Sequence, residues 1–142
     1  MSITLFKTRS KTINYDQLSS LHYIGNYQRI LPVSITRMIE NAYDWEHLPY
    51  VHPSSFAAIE AIETGPWGWR AKTTLPSKSG KSGKQGKPEI FQHIELLVDH
   101  TKNYWATTVI DGPGAGIQIH TQATSSKATP RAKKAEETKK AL

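Results

Sequence analysis

The chain has 142 residues, which is room for one domain around one core. Its hydrophobic fraction of 37% is low for a globular protein, and its formal charge is +6. It has no cysteine, which excludes disulfides, thiolate metal sites and cysteine-held iron–sulfur clusters. No apolar run approaches the roughly 20 residues that span a bilayer, and the N-terminus lacks a signal-peptide core. The expectation is a cytoplasmic protein with no membrane partner. The positive charge is concentrated in two places. Residues 77–88 (SKSGKSGKQGKP) carry four lysines and no acid, and residues 125–142 carry six basic residues against two acids. The rest of the chain is near −2. A nucleic-acid reader spreads Lys and Arg over a folded face with aromatics between them. That pattern is missing, which argues against a nucleic-acid partner.

In chain order, residues 1–21 are a polar lead-in. HYIGNYQRILPVS (22–34) alternates partially and predicts a first strand. SITRMIENAYDWEHL follows, with Ser34 or Thr36 as cap and Ile35, Met38, Ile39 and Ala42 at helical spacing. Pro49 and Pro53 disfavour helix at the residue before each, so the helix is expected to stop or break near Leu48. AAIEAIETG and WGWRAKTTL read as strands around a Gly65-Pro66 turn, with Trp67, Trp69, Ala71 and Thr73 sharing a face. After the Gly/Ser/Lys loop at 77–88, EIFQHIELLVDH places Ile90, Gln92, Ile94, Leu96 and Val98 opposite Phe91, His93, Glu95 and Leu97. NYWATTVIDG and GIQIHTQAT flank DGPGAG as a hairpin. Strand, broken helix, then consecutive antiparallel strands is an α+β order. The folded region is expected over 22–124. Residues 125–142 are a basic tail read as disordered or marginally helical.

Within this order, ENAYDWEHLPYVHP (40–53) gathers Glu40, Asn41, Asp44, Glu46, His47 and His52. Imidazoles and carboxylates are the usual ligands of iron, zinc or manganese. An unbroken helix would splay His47 and His52, whereas a break at Pro49 could swing both rings to one point. Asp44 lies three residues before His47, on the same helical face, where it can orient the ring through the second nitrogen. Two histidines near a helix end can equally be structural or surface groups.

The pattern E-N-x-x-D-x-x-H-x-x-x-x-H, matched by Glu40, Asn41, Asp44, His47 and His52, resembles the mononuclear-iron motif of Rieske-type ring-hydroxylating oxygenase alpha subunits. HLPYVHP is similar to the usual continuation of that motif. The resemblance implies a START-like helix-grip fold, an antiparallel sheet wrapped around a long C-terminal helix. By the same resemblance, His47 and His52 would ligate Fe(II). Asp44 would match the bridging aspartate on the electron path from the Rieske histidine, and Asn41 would line the metal and substrate cavity. The implied activity is O2-dependent oxidation of an apolar or aromatic substrate.

Two parts of that family's pattern are missing. A chain without cysteine cannot hold the Rieske cluster, so electrons would have to come from an external ferredoxin or reductase. The third ligand, a carboxylate on the C-terminal helix, has no counterpart, since only Glu136 and Glu137 come late, while Asp99 and Asp111 read as a strand end and a turn. The expectation is an incomplete or partner-dependent domain, weakly stable alone or associating, a homo-oligomer included. The alternatives are a START-like carrier of a hydrophobic molecule without catalysis, and a nonfunctional fragment. GPGAG and SGKSGKQGK lack phosphate-loop spacing, and no nucleophile elbow surrounds Ser54 or Ser55. Trp45, Trp67, Trp69 and Trp105 are either cavity lining or core. His93, His100 and His120 read as surface or interior polar groups.

Overall fold

Short segments separated by turn residues pair with their neighbours in sequence from the second strand to the last, and the first strand joins the last, which gives one antiparallel sheet. Its strands are β1 (Gly25–Leu31), β2 (Ala58–Gly65), β3 (Gly68–Thr74), β4 (Phe91–Asp99), β5 (Tyr104–Asp111), β6 (Gln118–Ser125) and β7 (Ala135–Ala141). They lie in the order β1-β7-β6-β5-β4-β3-β2. This computed structural model describes residues 6, 9–51, 56–76, 89–125 and 135–141. The lysine-rich loop, Ser54, Ser55 and His52 lie outside the described residues.

The α+β architecture with a broken helix after the first strand is as the sequence predicts. Helix α1 (Ile35–Tyr43) starts at Ser34, whose hydroxyl accepts from the Arg37 amide. The helix ends at Asp44, earlier than Pro49 suggests, and passes through a 3-10 turn (Trp45–His47) into the short α2 (Leu48–Val51). Pro49 is the second residue of α2. There a missing N–H has no intrahelical acceptor to lose, so the proline begins a turn instead of ending one.

Two further expectations are corrected. The tail is strand from Ala135 to Ala141, inserted between β1 and β6 with both registers antiparallel. AEETKKA has no apolar alternation to announce a strand, and its backbone pairs on both sides. The lead-in also has a defined place. Phe6 is 1% exposed, and residues 9–20 cross one face of the sheet, ending in a 3-10 turn at Tyr15–Ser20.

Period-two alternation divides the sheet's side chains between two faces. Trp69 and Ala71 of β3, Ile94 and Leu96 of β4, Trp105 of β5 and Ala123 of β6 form the core with Met38 of α1. On the opposite face Arg70 and Glu95, at 2% and 0% exposure, lie beneath the N-terminal strap. The β2–β3 turn needs glycine at position 68. Its φ is +137°, and a Cβ there would sit 1.9 Å from the Leu96 carbonyl oxygen.

Candidate binding cavity and the histidine turn

The helices pack over the sheet without filling the space beneath them. The Trp69 indole donates to the Ala42 carbonyl at 3.0 Å, tying the end of α1 to β3 and fixing the ring's orientation. Between α1 and the sheet lies a cavity of about 580 Å³, walled by Met38, Trp69, Ile94, Leu96 and Trp105. Leu31, Val33, Leu48 and Phe56 close its sides, and its polar lining comes from Arg29, Asn41, Thr107 and Thr121. The volume falls within the range of about 300–1,000 Å³ common for small-molecule pockets. An apolar lining with a few polar groups can bury a hydrophobic ligand and orient one end of it.

Asn41 belongs to this wall, and His47 is not among the residues that line it. The His47 imidazole is 67% exposed, and its Nδ1 lies 2.7 and 2.8 Å from the two Asp44 carboxylate oxygens. That hydrogen bond and the carboxylate's charge raise the imidazole pKa above its ordinary value. Glu40 pairs with Arg37 at 3.3 Å on the outside of α1. Among the described residues no group of three or more His, Asp or Glu could hold a metal ion. Asp99 and Asp111 do close β4 and β5: Asp99 accepts from Tyr15 and Thr101, and Asp111 lies 3.5 Å from His93. His100 stacks on Tyr43, and His120 lies between Tyr104 and Gln118, 2.8 Å from each. Trp69 and Trp105 belong to core and cavity wall alike, whereas Trp67 sits against the Arg70 guanidinium on the other face.

That other face carries a polar arrangement the sequence reading missed. Arg70 and Glu95 are register partners on β3 and β4. The Arg70 Nε donates to Glu95 at 2.8 Å, Arg9 of the strap donates to the same carboxylate at 2.9 Å, and Arg70 also reaches the Arg9 and Ser10 carbonyls. A charged residue between apolar neighbours in each of two pairing strands was the available signal. A cavity of about 250 Å³ beside this network is lined by Arg9, Glu95, Thr108, Gln118 and His120, with strap residues closing it.

No protein-family model matches the chain, and no curated protein matches it in sequence. Solved structures do match in fold. The aromatase/cyclase Zhui from a Streptomyces species aligns with a TM-score of 0.58 at 11% identity, covering 85% of this chain and 68% of that one. Norcoclaurine synthase from Thalictrum flavum, in complex with dopamine and hydroxybenzaldehyde, gives 0.57 at 14% identity, covering 91% and 73%. The ginseng major latex-like protein of Panax ginseng gives 0.53 at 12%, covering 82% and 76%. The antiparallel sheet and its crossing helix match the START-like helix-grip fold, although among the described residues the last element is strand β7 and not the long helix that such a sheet grips.

Proposed function

We propose that this chain binds an apolar or aromatic small molecule in the cavity between α1 and the sheet. The observation that carries the reading is the cavity itself: about 580 Å³, with two tryptophans and aliphatic or thioether side chains that include Leu31, Val33, Met38, Ile94 and Leu96 in its wall. The norcoclaurine synthase complex, with two aromatic molecules bound on the same fold, supports it. At 14% identity that likeness carries the fold alone, so the ligand class is taken from the lining. Burial of hydrocarbon against such walls contributes roughly 25 cal/mol per Å² of apolar surface removed from water. Trp69 and Trp105 provide the readout. Titrating aromatic and aliphatic compounds should quench or shift their fluorescence, and Thr107→Phe, which places a ring in the cavity, should weaken binding at least about tenfold while leaving the far-UV spectrum intact. Absence of binding across the panel, or binding that ignores Thr107→Phe, would remove the proposal.

One observation favours a second reading, the non-haem iron oxygenase. The motif order around Asp44 and His47 is accompanied by a hydrogen bond between the Asp44 carboxylate and Nδ1, the kind of contact that orients a ligating imidazole. The described residues do not by themselves fit Fe(II): they supply one imidazole, its ring lies outside the cavity wall, and no carboxylate joins it as a further ligand. The reading therefore depends on His52, and no oxygen chemistry is derived from the geometry. It would also require an external ferredoxin or reductase. Anaerobic Fe(II) titration with metal analysis decides it: stoichiometric iron that is lost in both His47→Ala and His52→Ala supports the reading, and equally poor binding by all three proteins ends it.

A further inference from the structure

A second hollow lies on the opposite face of the sheet, under the N-terminal strap. The strap is pinned at two points, by Arg9 to Glu95 at 2.9 Å and by Tyr15 to Asp99 at 2.7 Å, and it spans a cavity of about 250 Å³. Strand register sets the floor. Glu95 of β4, Thr108 of β5 and Gln118 of β6 lie side by side in one row, and Leu97, Ala106 and His120 in the next. The first row is polar from strand to strand. The second is apolar across two strands, and the small side chain of Ala106 at its centre gives the hollow its depth. His120, 2% exposed, lies 2.8 Å from the Gln118 Oε1 and holds that amide in place. From above, the strap adds the Thr12 hydroxyl and the Gln17 amide.

We propose that this hollow is a binding site for a cyclic polyol, a monosaccharide or a cyclitol. Its volume lies just below the range of about 300–1,000 Å³ common for drug-sized ligands, which suits a single small ring. Such a ring presents hydroxyls that each donate and accept, together with faces of C–H groups. Hydroxyl and amide side chains also donate and accept, so Thr108, Gln118 and the strap match the hydroxyls, while Leu97 and Ala106 take a C–H face. Glu95 supplies a strong acceptor that Arg9 and Arg70 already hold in position, so little ordering is left for the ligand to impose. The site is separate from the apolar cavity, because Ala106 and Thr108 alternate along β5 with Trp105 and Thr107, which line that cavity.

The test titrates myo-inositol, glucose and ribose into the isotope-labelled full chain and follows its backbone amides by NMR. At least one of them should give saturable shifts at Thr108, Gln118 and the strap, with the amides of Met38 and Ala42 unmoved. Cyclohexanol, a ring with a single hydroxyl, should bind at least about fivefold more weakly than the best polyol. Thr108→Val keeps the side chain's shape and removes its hydroxyl, and should weaken that polyol about fivefold, the loss of one hydrogen bond. Ala106→Leu fills the hollow and should abolish binding while the amide spectrum of α1 stays as it was; should that variant fail to fold, Thr108→Val decides. Absence of saturable binding, shifts confined to the other face, cyclohexanol binding as tightly as the polyols, binding of a sugar phosphate alone, or an affinity that ignores Thr108→Val would each overturn the proposal.

Discussion

Glu95 shows what a single side chain demands once water is excluded. Its carboxylate is fully buried, with one oxygen accepting from Arg9 at 2.9 Å and the other from Arg70 at 2.8 Å. Removing Arg70 leaves that charge with only the partly exposed Arg9, and loss of one partner of a buried pair costs about 3–5 kcal/mol. Arg70→Met should therefore move the urea midpoint sharply down, whereas Arg70→Met with Glu95→Leu should recover most of the loss. Equal destabilisation of single and double variants would show that the two charges are not coupled. Lys11 and Glu63, at 52% and 35% side-chain exposure, are a contrast, since an exposed pair is worth less than about 1 kcal/mol. At the histidine turn the readout is protonation. Asp44 raises the His47 pKa, so the charged pair is complete below the ordinary histidine value and is lost as pH rises through the raised one. Following the His47 ring protons by NMR should show that midpoint returning to the ordinary value in Asp44→Asn, and an unchanged midpoint would remove Asp44 as its cause.

Among the elements, the N-terminal strap is held by contacts that its own sequence does not announce. Tyr15 donates to Asp99 at 2.7 Å, Lys102 lies over the Tyr15 ring, and Phe6 is buried beside His93 and Arg70. Burial and the Asp99 contact raise the Tyr15 pKa, while hydrogen bonds from Thr101 and Tyr15 lower that of Asp99. The strap's anchor thus needs a protonated phenol and an ionised carboxylate. On the acid side it is intact above the ordinary aspartate value and is lost as pH falls through the lowered one; on the alkaline side it fades as pH climbs from about 10, where an unfolded tyrosine ionises. Tyr15→Phe should raise hydrogen exchange and protease cleavage within residues 9–20 while leaving β3–β6 protected, and unchanged strap protection would sink that role. The hairpins were legible in sequence because Gly65-Pro66 and DGPGAG punctuate clear alternation, and Ile94, Leu96 and Val98 share the core face as their spacing predicts. The strap was not, because among its described residues Phe6 is the one buried apolar side chain, and its polar partners lie 84 and 86 residues away. The helix break was legible in kind but misplaced, since α1 already ends at Asp44, whose carboxylate binds His47, and Pro49 sits harmlessly inside the next turn.

For the molecule as a whole the deciding element is β7. Among the described residues β1 has β7 as its one sheet neighbour, and β6 pairs with β5 on one side and β7 on the other. Without β7, β1 would be cut from the sheet, and the cavity wall that Arg29 and Leu31 provide would go with it. Sequence patterning alone assigned this segment no structural role, because AEETKKA offers no apolar face, and it takes two aligned strand edges to specify it. A chain ending at Ser125 therefore discriminates between the two descriptions. If the tail is a solvated appendage, truncation leaves the thermal midpoint and ligand titration unchanged. If β7 bridges the sheet, the shortened protein loses its cooperative transition or associates through the exposed edges of β1 and β6, visible as heavier species in sedimentation velocity. Substituting Lys139 and Glu137 with Thr, which removes both charges and favours a strand, should retain the fold and separates loss of backbone pairing from loss of charge. We expect the truncated chain to fail and the substituted one to fold, and a cooperative, monomeric protein ending at Ser125 would remove β7 from the architecture.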